Sequence, residues 1–260
     1  MKQADIKKPI VIIGLGEMGG VFARAFLRLG HPVYPIGREG DILSLSQAWL
    51  EPEMVLVAVG EKDLPTILES IPSCWRNKLT LLQNELLPKD WQCQGLDNPT
   101  VISVWFEKKP GQEAKVIIPS PCFGPHAALL SQALGAINIT SRELNSDAEL
   151  LFELALKNLY ILTSNICGLS VGGTVSELWA QHRPLASSVA KEIIETQQAM
   201  TGEKFDHEAL IKAMCEAFSG DPEHQCMGRS APTRLKRALQ HAAEYQLTTP
   251  ALYEIATQSN

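Results

Sequence analysis

The first half of the chain alternates short, continuously apolar runs with amphipathic stretches. Ile10–Ile13, Val33–Ile36 and segments 55–59, 79–82, 101–104 and 116–118 read as β-strands. Segments 19–29 and 64–71 carry apolar residues at helical spacing. Strand, helix and strand in this order predict a parallel sheet with crossover connections. The runs are almost continuously apolar, as expected of strands covered on both faces.

Beyond about residue 145 extended runs give way to helical patterns at 147–165, 185–201, 207–218 and 231–245. Gly202 stands where a helix C-terminal glycine is favoured, and Asp206 where an N-cap is favoured. The expected organisation is an α/β domain over residues 1–145 and an all-α domain over 146–260.

Composition narrows the function classes. The chain has 260 residues, 45% of them hydrophobic, and a net charge of −6. That balance argues against a broad nucleic-acid surface, which needs clustered Lys and Arg. Six scattered cysteines without a CxxC pair read as reduced thiols of a cytoplasmic protein. No run of about twenty apolar residues stands out, so no membrane partner is expected. His224, Cys226 and the upstream Asp206-His207 pair are too irregularly spaced for a metal site, and none is expected.

The segment VIIGLGEMGGVFARAFLRLG places Gly14, Gly16 and Gly19 in the GxGxxG spacing, directly after an apolar strand and at the start of an amphipathic helix. In that context the first glycine permits a tight turn, the second a close approach of backbone to a pyrophosphate, and the third close helix–strand packing. Gly14, Gly16, Glu17, Met18 and Gly19 would then form the phosphate loop of a Rossmann-type domain, with the helix N-terminus facing the phosphates. After the second strand comes Arg38, where NAD-specific sites usually carry an acidic residue. A guanidinium suits a ribose 2′-phosphate and favours NADP(H); alternatively Arg38 is solvated and Glu39 contacts the ribose. Asn84 and Glu85 follow the fourth strand, where ligands of open α/β sheets bind; an asparagine there could equally cap a turn.

Segment 151–168, LFELALKNLYILTSNICG, is apolar nearly throughout and carries one positive charge, Lys157, in its middle. A lone lysine on an oily helix can snorkel to solvent. Helical spacing, however, puts positions 157, 161, 164/165 and 168 on one face, which groups Lys157 with Ser164 and Asn165. Arg229, Arg234, Lys236 and Arg237 form a basic cluster at the start of the last long helical pattern. Such a cluster is usually a solvated face, or else draws in an anion.

Together, GLGEMGG, LLQNE, KNLYILTSN, GGTVSELW and KEIIETQQAMTG, in that order over nearly the whole chain, resemble the ketopantoate reductase (2-dehydropantoate 2-reductase) family. The resemblance implies a Rossmann domain followed by a helical domain, and NADPH-dependent reduction of a small 2-oxo acid, as in pantothenate biosynthesis. It implies a catalytic role for Lys157, a 2′-phosphate contact for Arg38, a nicotinamide or substrate contact for Asn84, and substrate contacts for Asn165 and its neighbour Ser164. Three departures stand out. Ile161 replaces an asparagine one turn after the lysine, and Glu85 replaces the glycine that usually follows Asn84. A substrate-contacting glutamate expected near Ser230 or Ala231 is missing. The expected function is therefore a 2-oxo-acid reductase whose substrate has changed with that glutamate or has not; the alternative is a non-catalytic dinucleotide-binding sensor. The helical half could pack on a second copy, so a homodimer is compatible with the sequence.

Overall fold

In a computed structural model, which describes residues 7–49 and 51–258, the chain divides into two compact units, residues 1–150 and 151–260. The first begins with β1 (Ile10–Ile13), α1 (Glu17–Arg28), β2 (Val33–Ile36), α2 (Ile42–Ala48), β3 (Met54–Val57) and α3 (Leu64–Ser70). A 3-10 turn (Ser73–Lys78) leads into β4 (Leu79–Leu81), α4 (Lys89–Gln92), β5 (Thr100–Ile102), β6 (Phe106–Glu107) and β7 (Lys115–Val116). The unit ends with β8 (Ser120–Phe123), α5 (Ala127–Gly135), β9 (Ser141–Glu143) and the first turn of α6 (Asp147–Val171).

The seven-stranded sheet has the order β2-β1-β3-β4-β5-β8-β9. The first five strands are parallel; β8 runs antiparallel to β5 and parallel to β9. Strands β1 and β3 are fully buried, which explains their unbroken apolar runs. Ile10, Ile12, Met54, Leu56, Ile102 and Cys122 pack on one side with Phe22 and Phe26 of α1 and Leu130 and Leu134 of α5.

The sheet is larger than the sequence pattern predicts, and not wholly parallel. Segment 116–118 contributes no strand to it: β7 pairs only with β6, in a separate two-stranded ribbon. Its place is taken by β8, which reads SPCF. Proline lacks the ladder N–H and normally marks an edge or a turn. Here Pro121 still contributes its carbonyl, which accepts from the Ser103 amide.

The second unit is helical, built from α6, α7 (Val175–Gln181), α8 (Arg183–Thr201), α9 (His207–Gly220), α10 (Ala231–Glu244) and α11 (Pro250–Gln258). Local chemistry sets the ends. Gly202 closes α8 with φ +74°, and Asp206 caps α9 by accepting from the Ala209 amide. Thr174 and Glu177 form a reciprocal capping box on α7. By length and composition α6 is, contrary to the sequence expectation, apolar enough to cross a membrane. It runs six residues beyond the expected end, and most of it is buried, which marks the core helix of its unit.

Candidate active site

The parallel strands bring their carboxyl ends to one edge of the sheet. Strand order reverses at β1, with β2 on one side and β3 on the other, so the crevice that binds ligands in open α/β sheets opens beside β1. Three short contacts stitch that edge. The Gly14 amide donates to the Ile36 carbonyl at 2.9 Å, and the Ala58 amide to Ile13 at 2.7 Å. Buried Gln83 donates through Nε2 to the Val57 carbonyl at 2.6 Å. Gln83 was not singled out from the sequence; only its position beside Asn84 hinted at it.

Each glycine of the loop meets a different demand. Gly14 adopts φ +94°, and a Cβ there would lie 2.5 Å from the Ala58 carbonyl oxygen. A Cβ on Gly19 would lie 2.0 Å from the Gly14 carbonyl oxygen, so helix and turn touch directly. At Gly16 the result is the opposite: a Cβ would meet nothing within 4 Å. Packing therefore demands glycine at 14 and 19, whereas Gly16 borders open space. Gly16 also begins α1 without a side-chain cap, leaving the first-turn amides of Glu17, Met18 and Gly19 without that partner. An open cradle lined by backbone N–H groups at a helix N-terminus fits a dinucleotide pyrophosphate. Glu17 would oppose an anion there, but Lys108 meets its carboxylate at 3.0 Å.

Arg38 lies exposed in the loop after β2, at the same edge. Asn84 and Glu85 follow β4 and are partly exposed. Glu85 has φ +58°, the left-handed region that favours glycine. The departure from the expected Asn-Gly pair thus keeps the glycine-like backbone but places a carboxyl side chain on it.

In the second unit, Lys157 is half-buried near the middle of α6, with its Nζ 5.7 Å from the centre of the Tyr160 ring. That ring packs on Phe218 with centroids 5.2 Å apart. Ser164 is fully buried, and its hydroxyl donates to the Tyr160 carbonyl at 2.7 Å, within the helix. Asn165 is also buried and has two strong partners: Nδ2 donates to the Cys226 carbonyl at 2.9 Å, and Oδ1 accepts from Arg234 Nη1 at 2.7 Å. The amide orientation is self-consistent, because a guanidinium can only donate.

Gly168 makes this arrangement possible. A Cβ there would come within 2.9 Å of Cys226 Cβ and the Met227 amide nitrogen, so segment 226–227 rests directly on α6. The segment is pinned by the Cys226 amide donating to Gly173 and the Val175 amide donating to His224. Burial pushes the Cys167 thiol up to about 12 and the Cys226 thiol to about 11, so both are inert at neutral pH.

No protein-family model matches the sequence, and no curated protein matches it. Solved structures do. A 2-dehydropantoate 2-reductase from Methylococcus capsulatus superposes with a TM-score of 0.69 at 12% identity, over 96% of this chain and 95% of that one. The chain has the ketopantoate reductase fold. The probable 2-dehydropantoate 2-reductase of Bacillus subtilis gives 0.68 at 14% identity, covering 96% and 98% of the two chains. A D-mandelate dehydrogenase in ternary complex with NADH and anilino(oxo)acetate gives 0.66 at 15%, covering 96% and 97%. A dimeric ketopantoate reductase from Staphylococcus aureus gives 0.62 at 18%, covering 96% and 97%.

Proposed function

We propose that the protein is an NADPH-dependent oxidoreductase that reduces a small 2-oxo acid to the 2-hydroxy acid. The observation that carries this reading is the open cradle at Gly16, bordered by packing-imposed glycines at 14 and 19 and an uncapped helix N-terminus. Lys157 adds the chemistry: it is the one cation of a mostly buried helix, only half-buried itself. The 2-oxo-acid enzymes of the same fold support the substrate class.

NADPH, when bound along the carboxyl edge of the sheet, would supply the hydride. Gly14, Gly16, Glu17, Met18 and Gly19 would hold its pyrophosphate through backbone N–H groups. Arg38 would hold the 2′-phosphate with paired hydrogen bonds. Asn84 would orient the nicotinamide amide or the substrate. Lys157, as an ammonium, would stabilise the negative charge developing on the substrate oxygen and give it a proton. Ser164, whose hydroxyl is bonded inside α6, would contribute by shaping this face of the helix. The homologous dimer supports a homodimer as the assembly, and the cysteine pattern a cytoplasmic location.

The test is NADPH consumption by the purified protein with a panel of 2-oxo acids. Oxidation with at least one acid supports the reading. Tight NADPH binding without oxidation by any would favour a dinucleotide-binding sensor.

A further inference from the structure

The β6–β7 ribbon lies beside α1 instead of joining the main sheet. Its turn reads KKPGQ. Pro110 and Gly111 take the two central positions, Gly111 has φ +74°, and the Gln112 amide donates to the Lys109 carbonyl at 3.1 Å. Proline followed by a left-handed glycine is the signature of a type II turn. Packing sets the ribbon against α1. Phe106 is buried in the same core as Phe22, with ring centroids 6.1 Å apart, and Ala114 and Val116 pack on that core from the returning side. An exposed ion pair, Arg24 with Glu113 at 3.1 Å, closes the outer side.

Lys108 leaves β6 with its side chain only 21% exposed and its Nζ 3.0 Å from Glu17 Oε2. Nζ also donates to the Lys109 carbonyl at 2.8 Å, so the turn itself holds the ammonium in place. Glu17 is the first residue of α1, directly after Gly16. On a helix the Cα–Cβ bond tilts toward the N-terminus, so the Glu17 side chain leaves its Cα toward the cradle end. A carboxylate there is favoured by the helix dipole but opposes any phosphate that binds the same amides. Two phosphate charges facing an uncancelled carboxylate within one helical turn would lose about tenfold in affinity at low ionic strength. The position of Lys108 comes from the ribbon, so that charge is cancelled before an anion arrives.

We propose that Lys108 is a positioning residue of the cofactor site: it acts through Glu17, and the β6–β7 ribbon thereby sets the affinity of the phosphate cradle. This rests on the dinucleotide reading of the cradle but not on the reaction or the substrate. The pyrophosphate is common to both nicotinamide cofactors. NADPH and NADH should therefore respond alike to Lys108, in contrast to the selectivity expected of Arg38.

The test is a double-mutant cycle read by fluorescence titration of NADPH and of NADH, with no turnover involved. Lys108→Met keeps the side-chain stem and removes the charge; it should weaken both cofactors about tenfold at low ionic strength. The loss should shrink toward parity at about 0.5 M salt, where exposed charges are screened. Lys108→Arg should bind like the wild type. Glu17→Gln should bind at least as well as the wild type, and in that background Lys108→Met should cost less than about twofold. Rescue by Glu17→Gln separates the electrostatic role from a damaged ribbon, which no change at residue 17 would repair. Wild-type affinity in Lys108→Met overturns the proposal. So does a loss that persists undiminished in the Glu17→Gln background, which would make Lys108 a direct ligand of the cofactor. A wild type that binds neither dinucleotide overturns the cofactor reading and this assignment with it.

Discussion

Asn165 Oδ1 and Arg234 Nη1 lie 2.7 Å apart, joining the core helix α6 to the first turns of α10. The bond converts a helix-face asparagine into a holder for a guanidinium.

The three loop glycines should separate under substitution. Gly19→Ala forces a Cβ onto the Gly14 carbonyl oxygen and should destabilise the first unit by about 1–3 kcal/mol, the scale of overpacking. Gly16→Ala meets nothing within 4 Å and should leave the melting temperature unchanged, while NADPH affinity falls about tenfold as the methyl fills the cradle. Thermal melts with and without NADPH check both. An unchanged affinity in Gly16→Ala would remove the cradle from cofactor binding.

Arg38→Ala should lower NADPH affinity far more than NADH affinity, by roughly tenfold or more, because only NADPH carries the 2′-phosphate. Cofactor fluorescence titrations read this directly. Equal losses for the two cofactors would transfer the ribose contact to Glu39.

Buried Glu192 on α8 accepts from the Ala251 amide at 2.8 Å and the Leu252 amide at 3.0 Å, tying down the start of α11. Glu192→Ala orphans both donors and should cost about 3 kcal/mol in urea denaturation. Glu192→Gln, which keeps one acceptor oxygen, should cost roughly half as much.

Stability should also carry a signature of His126. Burial holds its pKa below the ordinary 6.5, and the Lys78 charge adds to the shift. The unfolded chain therefore binds a proton on acidification before the folded protein does. Above pH 6.5 both states are neutral at this residue and it has no effect; below 6.5 stability falls until the folded-state pKa is reached. Urea midpoints measured between about pH 7.5 and 5.5 should drop less in His126→Asn than in the wild type. Equal slopes would exclude the residue.

Much of this was legible in the sequence, for physical reasons. Strands β1 to β4 and the long helices announced themselves because each is a continuous apolar run or a strong helical stripe. Pro119, Ser120 and Pro121 together mask β8, since that cluster reads as a turn, whereas the single Pro35 of β2 stands among apolar neighbours. The three-residue β9 and the short helices α2, α7 and α11 carry too few periods to register. Gly14, Gly16 and Gly19 were visible as a motif, but only the geometry separates the packing role of 14 and 19 from the open position at 16. Lys157 and Asn165 were grouped by helical spacing. Arg234 could not join them from sequence, because 69 positions separate it from Asn165 and nothing in a basic cluster says which member turns inward.

The role of Lys157 is tested most directly by Lys157→Ala, assayed by NADPH binding and by NADPH oxidation with the best 2-oxo acid of the panel. The predicted result is unchanged NADPH affinity with turnover reduced about a hundredfold or more, the scale of a positioned proton donor. Wild-type turnover in the alanine variant would contradict it.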